Sequence, residues 1–361
     1  MLLVLSSLWG ATGGIPSFNR LLVRAAADYA AARRRQLKVI ALTDAPGAAV
    51  PASWLAQLPD GMWTPASYVP CAGARGRCVA AVLAERPRQQ LVVLGHVNLG
   101  PLGLLWPRHG VIAHGTEVWR PLPWLRRRAL VRAAAVGCVS DHTAAAVVRE
   151  QGVDAGCCVR LINALPALPE AVAGPVGQGG PVRVLSVTRL HPGEPKGIDL
   201  VLAALPSLPE VEYTVVGTGA ALPGLQRLAA ALGVAARVRF LGEVSDRERD
   251  AELQRCDVFA LPSSGEGFGI VYLEAMAWSK PCLAAAAGGA PEVVRAGETG
   301  LVVAPAAEPV RAALQQLVSS AALRSQLGRA GRERVAQHFG YAPFRAHAAR
   351  FFSRLEPPRP A

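Results

Sequence analysis

The sequence predicts an α/β protein of two domains, each a parallel sheet wrapped by helices. Three observations lead there. Short apolar runs alternate with helix-length segments, the alternation breaks once near the middle, and 361 residues that are 51% hydrophobic suffice for two buried cores. The runs LLVLSS (2–7), LKVIALT (37–43), QLVVLGH (90–96), GVIAHG (110–115) and VGCVSD (136–141) predict the strands of the first sheet. The break is ALPALPEAVAGPVGQGGP (164–181), rich in proline and glycine and without either period, so it reads as the interdomain linker. The alternation restarts with VRVLSVTRL (182–190), VEYTVVGTG (211–219), VRFLGEVSD (238–246), CDVFALPSS (256–264) and PCLAAAAGG (281–289). No internal repeat links the halves, so their similarity is one of architecture.

MLLVLSSLWGATGG at the start reads as a buried strand and glycine turn rather than a signal peptide, because it lacks a basic n-region and its apolar run is short. No run of 18 apolar residues predicts a membrane-spanning helix. The formal charge of +12 and a pI of about 10.0 come mostly from dispersed arginines. Without runs interleaved with aromatics, this pattern speaks against a nucleic-acid binder and leaves acidic ligands and membrane surfaces open. Cys71, Cys78, Cys138, Cys157, Cys158, Cys256 and Cys282 form no CxxC pair and have no histidines at zinc spacing. They read as reduced thiols of a cytoplasmic protein. No metal or cofactor is expected.

The most specific signal is SSGEGFGIVYLEAMAWSKP (263–281). Ile270, Leu273, Met276 and Ala277 fall on one helical stripe that Pro281 ends, and Gly265, Gly267 and Gly269 clear side chains from the helix start. Free N–H groups and the positive dipole end then face an anion such as phosphate. Glu266 and Glu274 flank this start with seven residues between them. Paired acids also suggest glycoside hydrolysis, which needs roughly 5 to 9.5 Å between them. Eight residues of helix rise about 12 Å, a spacing better suited to holding two ends of one elongated ligand.

In SVTRLHPGEPKG (186–197), Arg189 ends a strand and Lys196 lies in the loop before the next helix. Two cations on a diphosphate would stabilise a departing group, each contact being of order 4 kcal/mol before desolvation. Gly13 and Gly14 in ATGGIPSFNRLL (11–22) allow close backbone approach to phosphate or sugar but do not form GxGxxG, and GTG at 217–219 is a shorter signal of the same kind. In VIAHGTEVWR (111–120), His114 follows a strand with Glu117 and Trp119 behind it. PLPWLRRRALVR (121–132) sets Trp124, Leu125, Leu130 and Val131 among Arg126, Arg127, Arg128 and Arg132. That segment is either an ordinary helix with a basic solvated side or a surface for an anionic membrane.

Together these motifs resemble glycosyltransferase family 4, with the GT-B architecture of two Rossmann-like domains facing across a donor cleft. The match is strongest from 182 to 303. The resemblance implies an N-terminal acceptor domain at 1–165, a linker at 166–181, a nucleotide-sugar donor domain at 182–335 and a helix returning to the first domain at 336–361. It implies that Glu274 holds the ribose hydroxyls, and that Glu266 with the backbone of Gly267, Phe268 and Gly269 meets the donor sugar. Amides at Ile270 and Val271, with Arg189 and Lys196, would bind the diphosphate. Gly13 and Gly14 would approach it from the other domain, His114 would lie near the transferring sugar, and Val244 beside Glu243 would read the nucleobase. Phe344, Ala348, Phe351 and Phe352 would dock the last helix. Three features depart from the family pattern. LINALP (161–166) replaces a Pro-Asn-Gly turn, Asp141 replaces a small or basic residue, and the spacing from Arg189 to Lys196 is slightly long, so the loop between them must bulge for both to reach one diphosphate.

The function implied is retaining transfer of a hexose from a nucleoside-diphosphate sugar to a hydroxyl of a glycan or lipid-linked acceptor, in polysaccharide or glycolipid synthesis. The place implied is the cytoplasm or the inner face of the cell membrane, with peripheral contact to anionic lipid. A sugar-nucleotide 2-epimerase of the same fold and a non-catalytic GT-B partner subunit are the alternatives.

Overall fold

A computed structural model describes residues 1–11, 13–170 and 180–357. The chain divides into two compact units, Met1–Pro166 with Tyr341–Ala361, and Ala167–Gly340. The division falls at the start of the expected linker, of which residues 171–179 lie outside the described residues.

The first unit is built on seven parallel strands. They are β1 (Leu2–Leu5), β2 (Lys38–Ala41), β3 (Tyr68–Pro70), β4 (Val92–Leu94), β5 (Gly110–Ala113), β6 (Ala135–Cys138) and β7 (Cys158–Arg160), in the order β3-β2-β1-β4-β5-β6-β7. The second unit contains β8 (Val182–Val187), β9 (Val211–Val216), β10 (Val238–Gly242), β11 (Val258–Leu261), β12 (Cys282–Ala285) and β13 (Gly300–Val303), ordered β10-β9-β8-β11-β12-β13 and likewise parallel. Helices cover both faces of such sheets, so the central strands carry continuous apolar runs; β1, β4, β5, β6, β11 and β12 are buried at every position. All ten strands expected from the sequence are present.

Three more strands, β3, β7 and β13, lie at sheet edges. β3 and β7 are three residues long and lack the apolar run that marks the others, whereas β13 carries the short apolar run GLVV; Pro70 is tolerated in β3 because an edge strand leaves one side of its backbone unpaired. In both sheets the strand order reverses beside the first strand, between β1 and β4 and between β8 and β11. Ligands of open α/β sheets bind beyond the carboxyl ends of the strands at such points.

The last helix, Tyr341–Leu355, packs on the first unit. Its Phe344 meets Phe18 edge-on at 5.5 Å, Phe352 meets Tyr29 at 5.2 Å, and the Tyr341 hydroxyl donates to Asp28 Oδ2 at 2.7 Å. Phe344, Ala348, Phe351 and Phe352 are all fully buried. The returning segment begins at Tyr341 rather than at 336, because the helix Ala321–His338 of the second unit continues through that position. All seven cysteines are free thiols. Among the described residues no helix is long and apolar enough to cross a membrane.

Candidate functional site: a helix mouth at the strand reversal of the second unit

The β8 and β11 strands pair directly, with Val184 opposite Val258 and Leu185 opposite Phe259, so the segments following them emerge side by side. The first of these segments contains Arg189 and Lys196, and the second carries Glu266 into the helix Ile270–Ala277. The 191–196 loop bulges through hydrogen bonds from Glu194 N to His191 O (3.2 Å) and from Lys196 N to Glu194 O (2.9 Å). Ser264 N donates to Pro195 O at 3.0 Å and ties the two segments together. Lys196 Nζ consequently reaches Glu266 Oε1 at 2.8 Å and lies 3.5 Å from Glu194 Oε2. Lys196 and Glu266 keep only 12% and 14% of their side-chain exposure. Arg189, at the carboxyl end of β8, is exposed.

The glycine turn is held from several sides. Gly289 N donates to Glu266 O at 2.8 Å, and Gly265 N donates to Ser263 Oγ at 3.2 Å. Gly269 caps the helix with φ 89° and ψ 63°, and a Cβ there would lie 2.4 Å from the Tyr272 ring. Tyr272 is itself locked by its hydroxyl donating to Leu261 O at 2.5 Å. Only glycine therefore fits at 269. The first helical bond is made by Tyr272 N to Gly269 O at 3.1 Å, so the preceding amides of Ile270 and Val271 have no partner within the helix. Phe268 turns inward, 3% exposed and edge-on to Phe339 at 5.9 Å, which leaves its backbone alone to meet a ligand.

Glu274 lies one turn into the same helix. Burial pushes its carboxyl up to about 7, against the lowering pull of Arg249, whose Nε is 3.8 Å from Glu274 Oε2. The two glutamates thus face different cations, Glu266 facing Lys196 and Glu274 facing Arg249. Val244 follows β10 at the same edge of the sheet, half-buried between that strand and the helix Asp246–Arg255.

Gly13, Gly14 and His114 belong to the first unit. Gly13, at φ 115°, caps the helix Gly14–Ala31 at the carboxyl end of β1, and both glycines are exposed. His114 ends β5. Its Nε2 lies 2.8 Å from Gly95 O, an acceptor only, so Nε2 carries the proton and Nδ1 keeps its lone pair. The His114 backbone N–H donates to Glu117 Oε1 at 2.6 Å. Burial lowers the His114 pKa, and burial together with the neighbouring His114 lowers that of His96 to about 4. The two rings stack at 5.6 Å with 22° between their planes.

His96 and Arg249 were not singled out from the sequence. LGH and IAH end adjacent strands in the same way, and that repetition was the signal for His96. Arg249 lies within an ordinary charged helix, and nothing local distinguishes it. The basic segment is the helix Trp124–Val131, in which Leu130 is fully buried and belongs to the core rather than to an exposed apolar face.

Residues 175–334 match the family of glycosyl transferases group 1. A GDP-mannose-dependent alpha-(1-6)-phosphatidylinositol monomannoside mannosyltransferase of Mycolicibacterium smegmatis is 39% identical over 168 residues, 43% of this chain and 44% of that protein. A D-inositol 3-phosphate glycosyltransferase of Mycobacterium leprae is 45% identical over 113 residues, 30% of this chain and 26% of that protein. The chain thus matches less than half the length of either curated relative. Among solved structures, HepE of Anabaena in complex with UDP and glucose superposes with a TM-score of 0.76 at 22% identity, covering 98% of each chain. WaaG, a glycosyltransferase involved in lipopolysaccharide biosynthesis, superposes at 0.69 with 18% identity, covering 96% of this chain and 98% of its own. The match to the glycosyl transferases of group 1 is thus confined to residues 175–334, and the chain has the GT-B fold.

Proposed function

We propose that the chain is a retaining glycosyltransferase that moves a hexose from a nucleoside-diphosphate sugar to a hydroxyl of a glycan or lipid-linked acceptor. The observation that carries this reading is the meeting of Lys196, Glu266 and the open start of the Ile270–Ala277 helix at the β8/β11 reversal. In this reading Lys196, Arg189 and the amides of Ile270 and Val271 hold the diphosphate, Glu274 accepts from the ribose hydroxyls, and Glu266 with the Gly267–Gly269 backbone meets the sugar. Val244 lies against the nucleobase. From the resemblance, Gly13, Gly14 and His114 are the first unit's contribution.

The acceptor oxygen bonds to the anomeric carbon as the bond from that carbon to the diphosphate oxygen breaks. The hydroxyl proton passes to a phosphate oxygen of the leaving group, which requires attack on the face of departure and so retention. Lys196 and the helix amides act where charge grows, the arrangement that contributes most to such steps. His114, neutral in its surroundings, offers a hydrogen-bond acceptor rather than a proton.

The test is incubation of the full chain with GDP-mannose and with UDP-glucose, with and without a glycolipid acceptor, followed by NMR. Sugar transfer with an unchanged anomeric configuration is expected. A new sugar-nucleotide formed without acceptor would establish the epimerase instead, and failure to bind any sugar-nucleotide would indicate a non-catalytic subunit.

Glu274 provides a pH prediction. A carboxyl titrating at about 7 is a full acceptor for ribose hydroxyls only when ionised, so nucleotide affinity should weaken as pH falls through about 7. In Glu274→Gln this dependence should flatten; calorimetric titration of UDP and GDP between pH 6 and pH 8.5 measures it.

A lipid-linked acceptor fits the surface of the first unit. On the helix Trp124–Val131, Trp124 is 71% exposed, and Leu125 and Val131 are exposed among Arg127, Arg128 and Arg132. Apolar side chains within a basic cluster suit the interface of an anionic bilayer at the cytoplasmic face. Sedimentation with vesicles containing anionic lipid should exceed that with neutral vesicles. Trp124→Ala should reduce the difference; equal recovery with both lipids would refute the contact.

A further inference from the structure

The helix Asp246–Arg255 directs one arginine at the edge of the candidate site. Arg249 Nη1 lies 2.8 Å from Asp246 Oδ1 and Nη2 lies 3.3 Å from Asp250 Oδ1, so both outer nitrogens are held by the arginine's own helix. The third nitrogen, Nε, is buried and its N–H has no hydrogen-bond partner, and the nearby acid is Glu274, with Oε2 at 3.8 Å. A buried donor without a partner is destabilising by about 1–3 kcal/mol. It persists here beside a carboxylate that needs to move by less than an ångström to accept from it.

We propose that Arg249 is a positioning residue for Glu274, and through it a determinant of selectivity for ribose over deoxyribose in the bound nucleotide. The proposal rests on the reading of Glu274 as the ribose acceptor. When a ribose diol engages Glu274, the carboxylate closes onto Arg249 Nε–H, which fixes its plane and keeps it charged while its other lone pairs accept from the two hydroxyls. Asp246 and Asp250 hold the guanidinium so that this edge, rather than the outer fork, faces the acid. The charges bearing on Glu274 are Arg249, Asp250 and Asp246, and Arg249 is the one among them that favours its ionised form. A lysine at 249 could supply charge but not the fixed planar donor.

The experiment is calorimetric titration of the full chain with UDP, GDP and their 2′-deoxy forms, in wild type, Arg249→Met, Arg249→Lys and Glu274→Ala, with folding checked by circular dichroism. Arg249→Met should lose about tenfold or more in affinity for the ribonucleotide that binds, the scale of one charge-assisted hydrogen bond. Its affinity for the deoxy form should change little, Arg249→Lys should recover only part of the loss, and raising the pH to 9 should restore part of it by ionising Glu274 without help. Equal losses for ribo and deoxy forms would reduce Arg249 to a structural role and overturn the proposal, as would unchanged ribonucleotide affinity in a folded Arg249→Met. If Glu274→Ala also binds both forms as wild type does, the assignment of Glu274 to ribose falls, and the proposal with it. If only Arg249→Met is silent, that assignment stands and the role of Arg249 alone is lost.

Discussion

Replacing Lys196 with methionine is expected to lower kcat/KM for the sugar-nucleotide by about 10²- to 10³-fold, the usual consequence of removing one preorganised donor from a site of developing charge. The loss should fall more on kcat than on KM, because the diphosphate gains charge as the anomeric bond breaks. The substitution also strips Glu266 of its 2.8 Å partner in a place where the acid keeps 14% of its exposure. A moderate loss of stability therefore accompanies the kinetic effect. Lys196→Arg should retain the fold and part of the activity, which separates the two contributions. Steady-state kinetics on folded variants decides the matter, and wild-type turnover in Lys196→Met would remove Lys196 from the chemistry.

A second large effect is expected at Gly217, far from the glycine turn in sequence. The residue follows β9 with φ 132°, and a Cβ there would lie 1.7 Å from Thr188 O, a backbone atom that cannot swing aside. The β8 end is knitted to this segment by Thr188 N donating to Val216 O (3.0 Å), Leu190 N to Thr218 O (2.9 Å) and Ala221 N to Leu190 O (2.9 Å). The GTG motif thus works by letting the chain after β9 pass against the backbone that carries Arg189. Gly217→Ala should be destabilising by about 3–5 kcal/mol, from an unfavourable backbone conformation and an overpacked contact together. For a unit of this size that corresponds to a melting temperature lower by about 8–15 °C. Whatever folded fraction survives should bind nucleotide weakly, since Arg189 is displaced. A melting curve like that of wild type would contradict this account of the motif.

The elements that could be read from the sequence are those whose physics is local. Parallel strands buried on both faces leave continuous apolar runs, and the glycines at 265, 267 and 269 announce an unobstructed helix start. The edge strands Tyr68–Pro70 and Cys158–Arg160 escaped because three residues carry no period and pairing on one side imposes little composition. In the site, the residue types at 189, 196, 266 and 274 were legible, but their partners were not. Lys196 and Glu266 are 70 positions apart, and only the adjacency of β8 and β11 brings them together. Arg249 is one of several arginines in a charged helix until its Nε is seen facing Glu274. His96 carried a sequence signal in the matching LGH and IAH strand ends, and its ring stacks on His114 from the neighbouring strand.

The most direct measurement is a crystal structure of the full chain soaked with GDP-mannose or UDP-glucose. The account predicts the diphosphate within hydrogen-bond distance of Lys196 Nζ and the Ile270 and Val271 amides, with the ribose hydroxyls on Glu274. A nucleotide seated elsewhere, or a diphosphate that leaves the Lys196–Glu266 pair and the helix start untouched, would contradict it.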